Sequence, residues 1–228
     1  MSQAGGGGHE RSAAINETMR DTVLTIGHST HPLERFVSLL RQHEITALCD
    51  VRSRPYSRVS SQFNREELKE CLRAFGIKYV FLGKELGARS EDTDCYEDGK
   101  VQYERLAQTD LFQLGLSRVQ RGLKEYRLVL MCAEREPLAC HRAILVARHL
   151  ATRGVTIQHV HADGSLEDHD NALRRLAKIL NLRENEHDFF RSRQDLFAEA
   201  YRLQEKRIAY DSNEALPTGI RAFKSAAG

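Results

Sequence analysis

The stretch LVLMCAEREPLACHR, residues 128–142, decides how this chain folds and where its chemistry lies. Four apolar residues run into Cys132 and Glu134. A loop containing Pro137 follows, and Cys140, His141 and Arg142 then open an amphipathic segment. An apolar run this short, followed at once by a helical pattern, reads as a buried strand feeding a helix. In α/β proteins, reactive side chains and anion sites collect at strand ends and helix starts.

The same alternation continues in both directions. Upstream, residues 23–26, 45–51 and 77–82 are β-rich runs. Each is followed by a helical stripe or, after residue 82, by a glycine-rich acidic loop over 83–100 and a long helix over 103–124. Pro32 suits the start of the first helix. Asn64 and Glu67 suit a capping box, and Gly76 and Gly154 suit helix ends. Downstream, residues 155–160 form a fifth strand and residues 170–180 a last core helix. The expected fold is α/β: a single, mostly parallel five-stranded sheet with helices on both faces (Rossmann-like, three-layer), plus a C-terminal helical extension. The expected division is a disordered leader over 1–22, a core domain over 23–182, and a helical extension with a polar tail over 183–228. The stripe Phe189, Phe190, Leu196, Phe197, Tyr201 and Leu203 is expected to dock on the core, although it could instead pair with a second copy or a partner.

Composition narrows the class. The chain has 228 residues and a formal net charge of +2, so bulk charge argues neither for nor against nucleic acid. Five cysteines without a CxxC pair suit a reducing compartment, and no apolar run approaches a membrane span. A cytoplasmic location without membrane contact is expected.

Each expected strand end carries chemistry. Gly27, His28, Ser29 and Thr30 could hold an anion on backbone N–H groups, or could be a plain helix cap. Asp50 and Arg52 could be a local ion pair, or could open a binding loop. That loop continues through Arg54, Tyr56, Ser57, Arg58, Phe63 and Arg65, where arginines fit phosphates and aromatic rings stack bases. Asp163 and Gly164 follow the fifth strand.

Cys132 could be a nucleophile activated by His141, or a small core residue. Glu134 could be a catalytic carboxylate, or could pair with Arg142. Cys140 and Arg142 are read with the ligand- and phosphate-binding residues. The spacing C-x7-C-H matches no familiar zinc arrangement and comes with no fourth ligand at matching spacing, so neither metal nor cofactor is expected.

The motifs Ile26 to Thr30, Asp50-Val-Arg52 with Pro55 and Ser57, Cys132-Ala-Glu134, Cys140-His-Arg142 and Asp163-Gly164 together resemble a bacterial and archaeal family, domain of unknown function 488. The resemblance runs over about residues 23–180. It implies a compact α/β domain with one pocket shared by these motifs, and no substrate. The residues themselves point to an enzyme acting on a nucleotide or on a base in nucleic acid, most concretely by cleaving an N-glycosidic bond. Glu134 or Asp50 would then be the working carboxylate. A thiol enzyme using Cys132 or Cys140, and a non-catalytic nucleotide- or nucleic-acid-binding module, are the alternatives.

Overall fold

The computed structural model describes residues 21–182 and 192–213. Residues 1–20 of the expected leader, Phe189, Phe190 and most of the polar tail lie outside the described residues, and Thr22, expected in the leader, opens β1. Strand β6 (Leu128–Cys132) is buried along its whole length, as its apolar run requires. It lies between β1 (Thr22–Gly27) and β2 (Ala47–Asp50), parallel to both. The strands β3 (Lys78–Phe81) and β7 (Thr156–Val160) extend the sheet in parallel.

The sheet has six strands rather than five, in the order β3-β2-β6-β1-β7-β8. The sixth, β8 (Leu166–Asp168), pairs antiparallel with β7 at the edge. With only three residues and no buried side chain, it carries no hydrophobic pattern to read. A separate antiparallel hairpin joins β4 (Tyr96–Glu97) to β5 (Lys100–Val101) within the expected loop. Its turn residues Asp98 and Gly99 both have positive φ, as a tight hairpin needs.

Alternate residues of the strands face two cores. Leu24, Ile26, Val129 and Met131 pack against α1 (Leu33–Gln42) and α2 (Arg65–Ala74). On the other face, Leu128, Leu130 and Cys132 join a core that includes α5 (Asp110–Leu123) and α7 (His169–Ile179). The short α3 (Gly83–Leu86) follows β3. The helix expected over 103–124 is two helices, because Thr109 ends α4 (Tyr103–Gln108) and caps α5 by accepting from the Phe112 N–H. The capping box at Asn64 does not form: its side chain accepts from the Ser57 N–H and ties down the arginine loop instead. The segment after Cys140 is π-helical over Arg142–Ala147 and becomes α6 at Arg148–Ala151. Gly76 and Gly154 take the left-handed conformation expected of helix ends.

The C-terminal helix α8 (Arg193–Ile208) docks on the core through Leu196, Ala200, Tyr201 and Gln204. Buried polar contacts fix its position. Gln204 donates to the Leu138 carbonyl at 2.8 Å, and the Tyr201 hydroxyl meets His169 Nε2 at 2.6 Å. The chain continues inward from His169 Nδ1 to His159 Nε2 at 2.9 Å, and from His159 Nδ1 to Thr25 at 2.7 Å. Burial, first of all, lowers both imidazoles, His169 to about 4, so they are neutral in the folded protein.

An unfolded imidazole binds its proton nearer 6.5, so the unfolded chain takes up protons that the folded chain refuses. This contribution is complete above pH ~6.5 and is lost as pH falls toward ~4, on the order of 3 kcal/mol for His169. We expect Tm to fall across that window, and His169→Gln to flatten the fall. An unchanged slope in that variant would contradict the assignment.

Candidate active site

The site is built where β1, β2 and β6 end. Cys132 closes β6 on the face covered by the following loop. That loop makes a tight turn at Pro137–Ala139 and returns Cys140 and His141 above Cys132. Cys140 is extended (φ −137°, ψ 141°) and His141 helical (φ −59°, ψ −25°), so adjacent residues aim their side chains at one point. The donor atoms of Cys132, Glu134, Cys140 and His141 all lie within 4.8 Å of one another. Local spacing offers no fourth ligand to the C-x7-C-H pattern; the fold brings a fourth donor group, Glu134, beside the other three.

Hydrogen bonds orient each group. His141 Nε2 lies 3.0 Å from the Val51 carbonyl and so carries the proton. Nδ1 then faces the sulfurs of Cys132 at 3.7 Å and Cys140 at 3.8 Å. The Cys140 thiol donates to Glu134 Oε2 at 2.9 Å, and its sulfur accepts from the Arg142 backbone N–H at 3.4 Å. Glu134 exposes much of its surface, but its carboxylate turns inward to this contact.

Burial raises both thiols. At Cys140 the neighbouring Cys132, Arg142 and His141 outweigh burial and bring the thiol well below its usual range. Cys132 stays well above it. Burial and the Cys140 charge raise Glu134. At His141 burial acts downward, and Cys140 overcomes it.

Arg142 does not pair with the Glu134 carboxylate. It is fully buried and donates to the backbone carbonyls of Glu134 at 2.6 Å and Arg135 at 3.0 Å, which holds the loop in place. It is therefore not a phosphate-binding residue. Asp50, also fully buried, accepts from Arg52 Nε at 2.9 Å, Arg52 Nη2 at 2.6 Å and the Tyr79 hydroxyl at 2.7 Å. Burial and then the Asp50 charge push Tyr79 upward, so it remains a donor. Asp50 thus positions Arg52 and reaches neither hollow of the site, which removes it from the catalytic candidates.

Arg52 in turn donates to His28 Nε2 at 3.1 Å and to the Phe63 carbonyl at 2.8 Å. Phe63 is buried and stacks on the His28 ring at 4.3 Å, so it cannot stack a base. Burial, then Arg52, lowers His28 to about 4 and keeps it neutral.

Two hollows meet at Glu134. One, of about 260 Å³, holds Cys132, Cys140 and His141 beneath Arg52, Arg54 and Arg89. The other, of about 420 Å³, is formed by His28, Ser29, Thr30, Tyr56 and Ser57 with Arg52 and Arg54. Within the Gly27–Thr30 turn, the N–H groups of His28 and Ser29 already bond to the carbonyls of Cys132 and Ala133, both at 2.9 Å, so they do not serve an anion. Asp163 is satisfied by Ser165 and lies in neither hollow. Arg89, Tyr103 and Tyr210 complete the first hollow. No local motif marks them. They arrive from the 83–100 loop, from α4 and from the chain after α8.

Gly27 runs directly beneath this loop. A Cβ there would lie 1.8 Å from the Glu134 carbonyl oxygen, a contact neither backbone can relieve alone. Gly27→Ala is expected to cost about 1–3 kcal/mol and to displace Glu134. A variant with unchanged Tm and activity would contradict this placement.

A parallel α/β sheet with a polar, partly charged cleft beyond its carboxyl edge defines an α/β protein with a ligand-binding site of the strand-end type. The chain belongs to the family described as Domain of unknown function DUF488, whose sequence profile matches residues 32–149, just over half of the 228 residues. That match includes Asp50, Arg52, Cys132, Glu134, Cys140, His141 and Arg142. The Gly27–Thr30 turn and Asp163 lie outside it. No curated protein and no solved structure matches the chain.

Proposed function

We propose that this protein is a hydrolase acting on a phosphorylated nucleotide or on a base in nucleic acid, most concretely by cleaving the N-glycosidic bond. One observation carries this reading. Glu134, whose carboxylate accepts from the Cys140 thiol at 2.9 Å and also meets the Cys132 side chain, stands on the ridge shared by the thiol–imidazole cluster and the arginine-walled hollows. Glu134 would take the proton of the water attacking the sugar carbon. Arg54 and Arg89 would hold phosphate, and the exposed ring of Tyr56 would cover the base. Arg52, with most of its donors committed to Asp50, His28 and Phe63, would form a rigid cationic wall.

A covalent thiol mechanism is the second reading. It is favoured by the way His141 turns Nδ1 toward both sulfurs. The five free cysteines suit a reducing compartment such as the cytoplasm. No helix among the described residues is long and apolar enough to cross a membrane. The buried side of α8 faces the core, so a partner or second copy would meet its polar side.

The test is product analysis after incubation with nucleoside monophosphates and with a short single-stranded oligonucleotide. Release of free base is expected. Release of inorganic phosphate alone, or no reaction, would overturn the reading. An adduct at Cys140 seen by mass spectrometry would favour the thiol mechanism. Oligonucleotide binding should weaken as salt rises, with a log–log slope of about −0.7 for each phosphate neutralised. Arg54→Ala with Arg89→Ala should flatten that slope without unfolding the domain, and an unmoved slope would remove both residues from the phosphate site.

A further inference from the structure

We propose that Cys132, Cys140 and His141 hold a divalent transition metal, zinc by donor type, with its fourth position open to the cleft beside Glu134. This rests on the reading that the cleft is the reaction centre, and it supplies the water that reading requires. Separations of 3.7 and 3.8 Å from His141 Nδ1 to the two sulfurs are long for thiol hydrogen bonds. They are close to the edge of a zinc tetrahedron, where bonds of about 2.3 Å to sulfur and 2.0–2.1 Å to nitrogen put S and N about 3.5 Å apart. Two sulfurs and an imidazole are a soft donor set, suited to zinc rather than magnesium.

The outer contacts also fit. A ligating histidine donates its remote N–H to a carbonyl or carboxylate, and His141 Nε2 already meets the Val51 carbonyl at 3.0 Å. The Arg142 backbone N–H reaches the Cys140 sulfur, as it would a thiolate. Both cysteines are almost wholly buried, and the first hollow is the approach to them. Glu134 follows Cys132 by two residues and is the solvent-facing member of the four. A carboxylate beside the open position of a three-ligand zinc is placed to accept the proton of a zinc-bound water, which the metal acidifies. On binding, both sulfurs coordinate as thiolates and any thiol proton still held passes to solvent, so no oxidant or reductant is needed.

The full chain, purified under reducing conditions and stripped of metal, is titrated with Co²⁺ alone and then with Zn²⁺. We expect one Co²⁺ per chain, with a thiolate-to-cobalt charge-transfer band and the strong visible bands of a tetrahedral site, both abolished by Zn²⁺. Cys132→Ser and Cys140→Ser should each weaken the charge-transfer band, and His141→Gln should shift the visible bands. Cys49→Ser and Cys71→Ser should change neither. Glu134→Gln should keep the metal, and its loss there would make Glu134 a closing ligand and overturn the open position. No cobalt band in folded wild-type protein with free thiols, or a band that survives both Cys132→Ser and Cys140→Ser, would overturn the site. Base release without metal binding would refute only the metal. Metal binding without base release would refute only the hydrolase.

Discussion

Replacing Asp50 with alanine is expected to destabilise the protein by about 3–5 kcal/mol, because it leaves the buried Arg52 guanidinium without its counter-charge. Asp50 accepts from three nitrogens of Arg52, including its backbone N–H, and from the Tyr79 hydroxyl. Water has little access to take over these bonds, since Asp50 is 0 % exposed and Arg52 only 7 %. Asp50→Asn keeps the acceptor oxygen and should cost less. Urea denaturation at pH 7 measures both. A loss below about 1 kcal/mol, the scale of an exposed ion pair, would contradict the buried assignment.

Glu134→Gln is expected to lower turnover in the base-release assay by about 10²–10⁴-fold, the usual value of a positioned proton acceptor. Stability should move little, within about 0.5 kcal/mol as for other accessible positions. Arg142 grips the Glu134 backbone carbonyl, which the substitution leaves in place. Turnover per folded molecule that stays unchanged, together with a fall in Tm, would make Glu134 a structural residue and remove it from the reaction.

Much of this architecture was legible because the three central parallel strands, β2, β6 and β1, are buried almost throughout. Runs such as Leu128–Cys132 must be apolar throughout, and a helix must follow each to return the chain. What escaped was what such patterns do not encode. The edge strand Leu166–Asp168 has no buried side chain to mark it, and the break at Thr109 needed the recognition of a cap inside a helical pattern. The Asp98-Gly99 hairpin carried a turn signal that its short, polar flanks obscured.

At the site, strand-end and helix-start placement puts His28, Arg52, Glu134, His141 and Arg142 at one edge of the sheet, and the first four line two adjoining hollows while Arg142 does not. Side-chain direction does not follow from that placement. Asp50, Phe63 and Arg142 have the residue types of a binding site, yet each turns inward and is buried in the scaffold. The Cys132–Cys140–His141 cluster was obscured for a related reason. Its geometry comes from an extended-to-helical change between two adjacent residues, which spacing rules do not capture.

The central claim is that Glu134 and the thiol–imidazole cluster form one reaction centre, with phosphate held above it. Difference density from crystals of the Glu134→Gln protein soaked with a nucleoside monophosphate tests it most directly. The account predicts phosphate between Arg54 and Arg89 and the glycosidic bond within hydrogen-bonding reach of residue 134. A nucleotide bound elsewhere, with both hollows at residue 134 filled only by solvent, would contradict it.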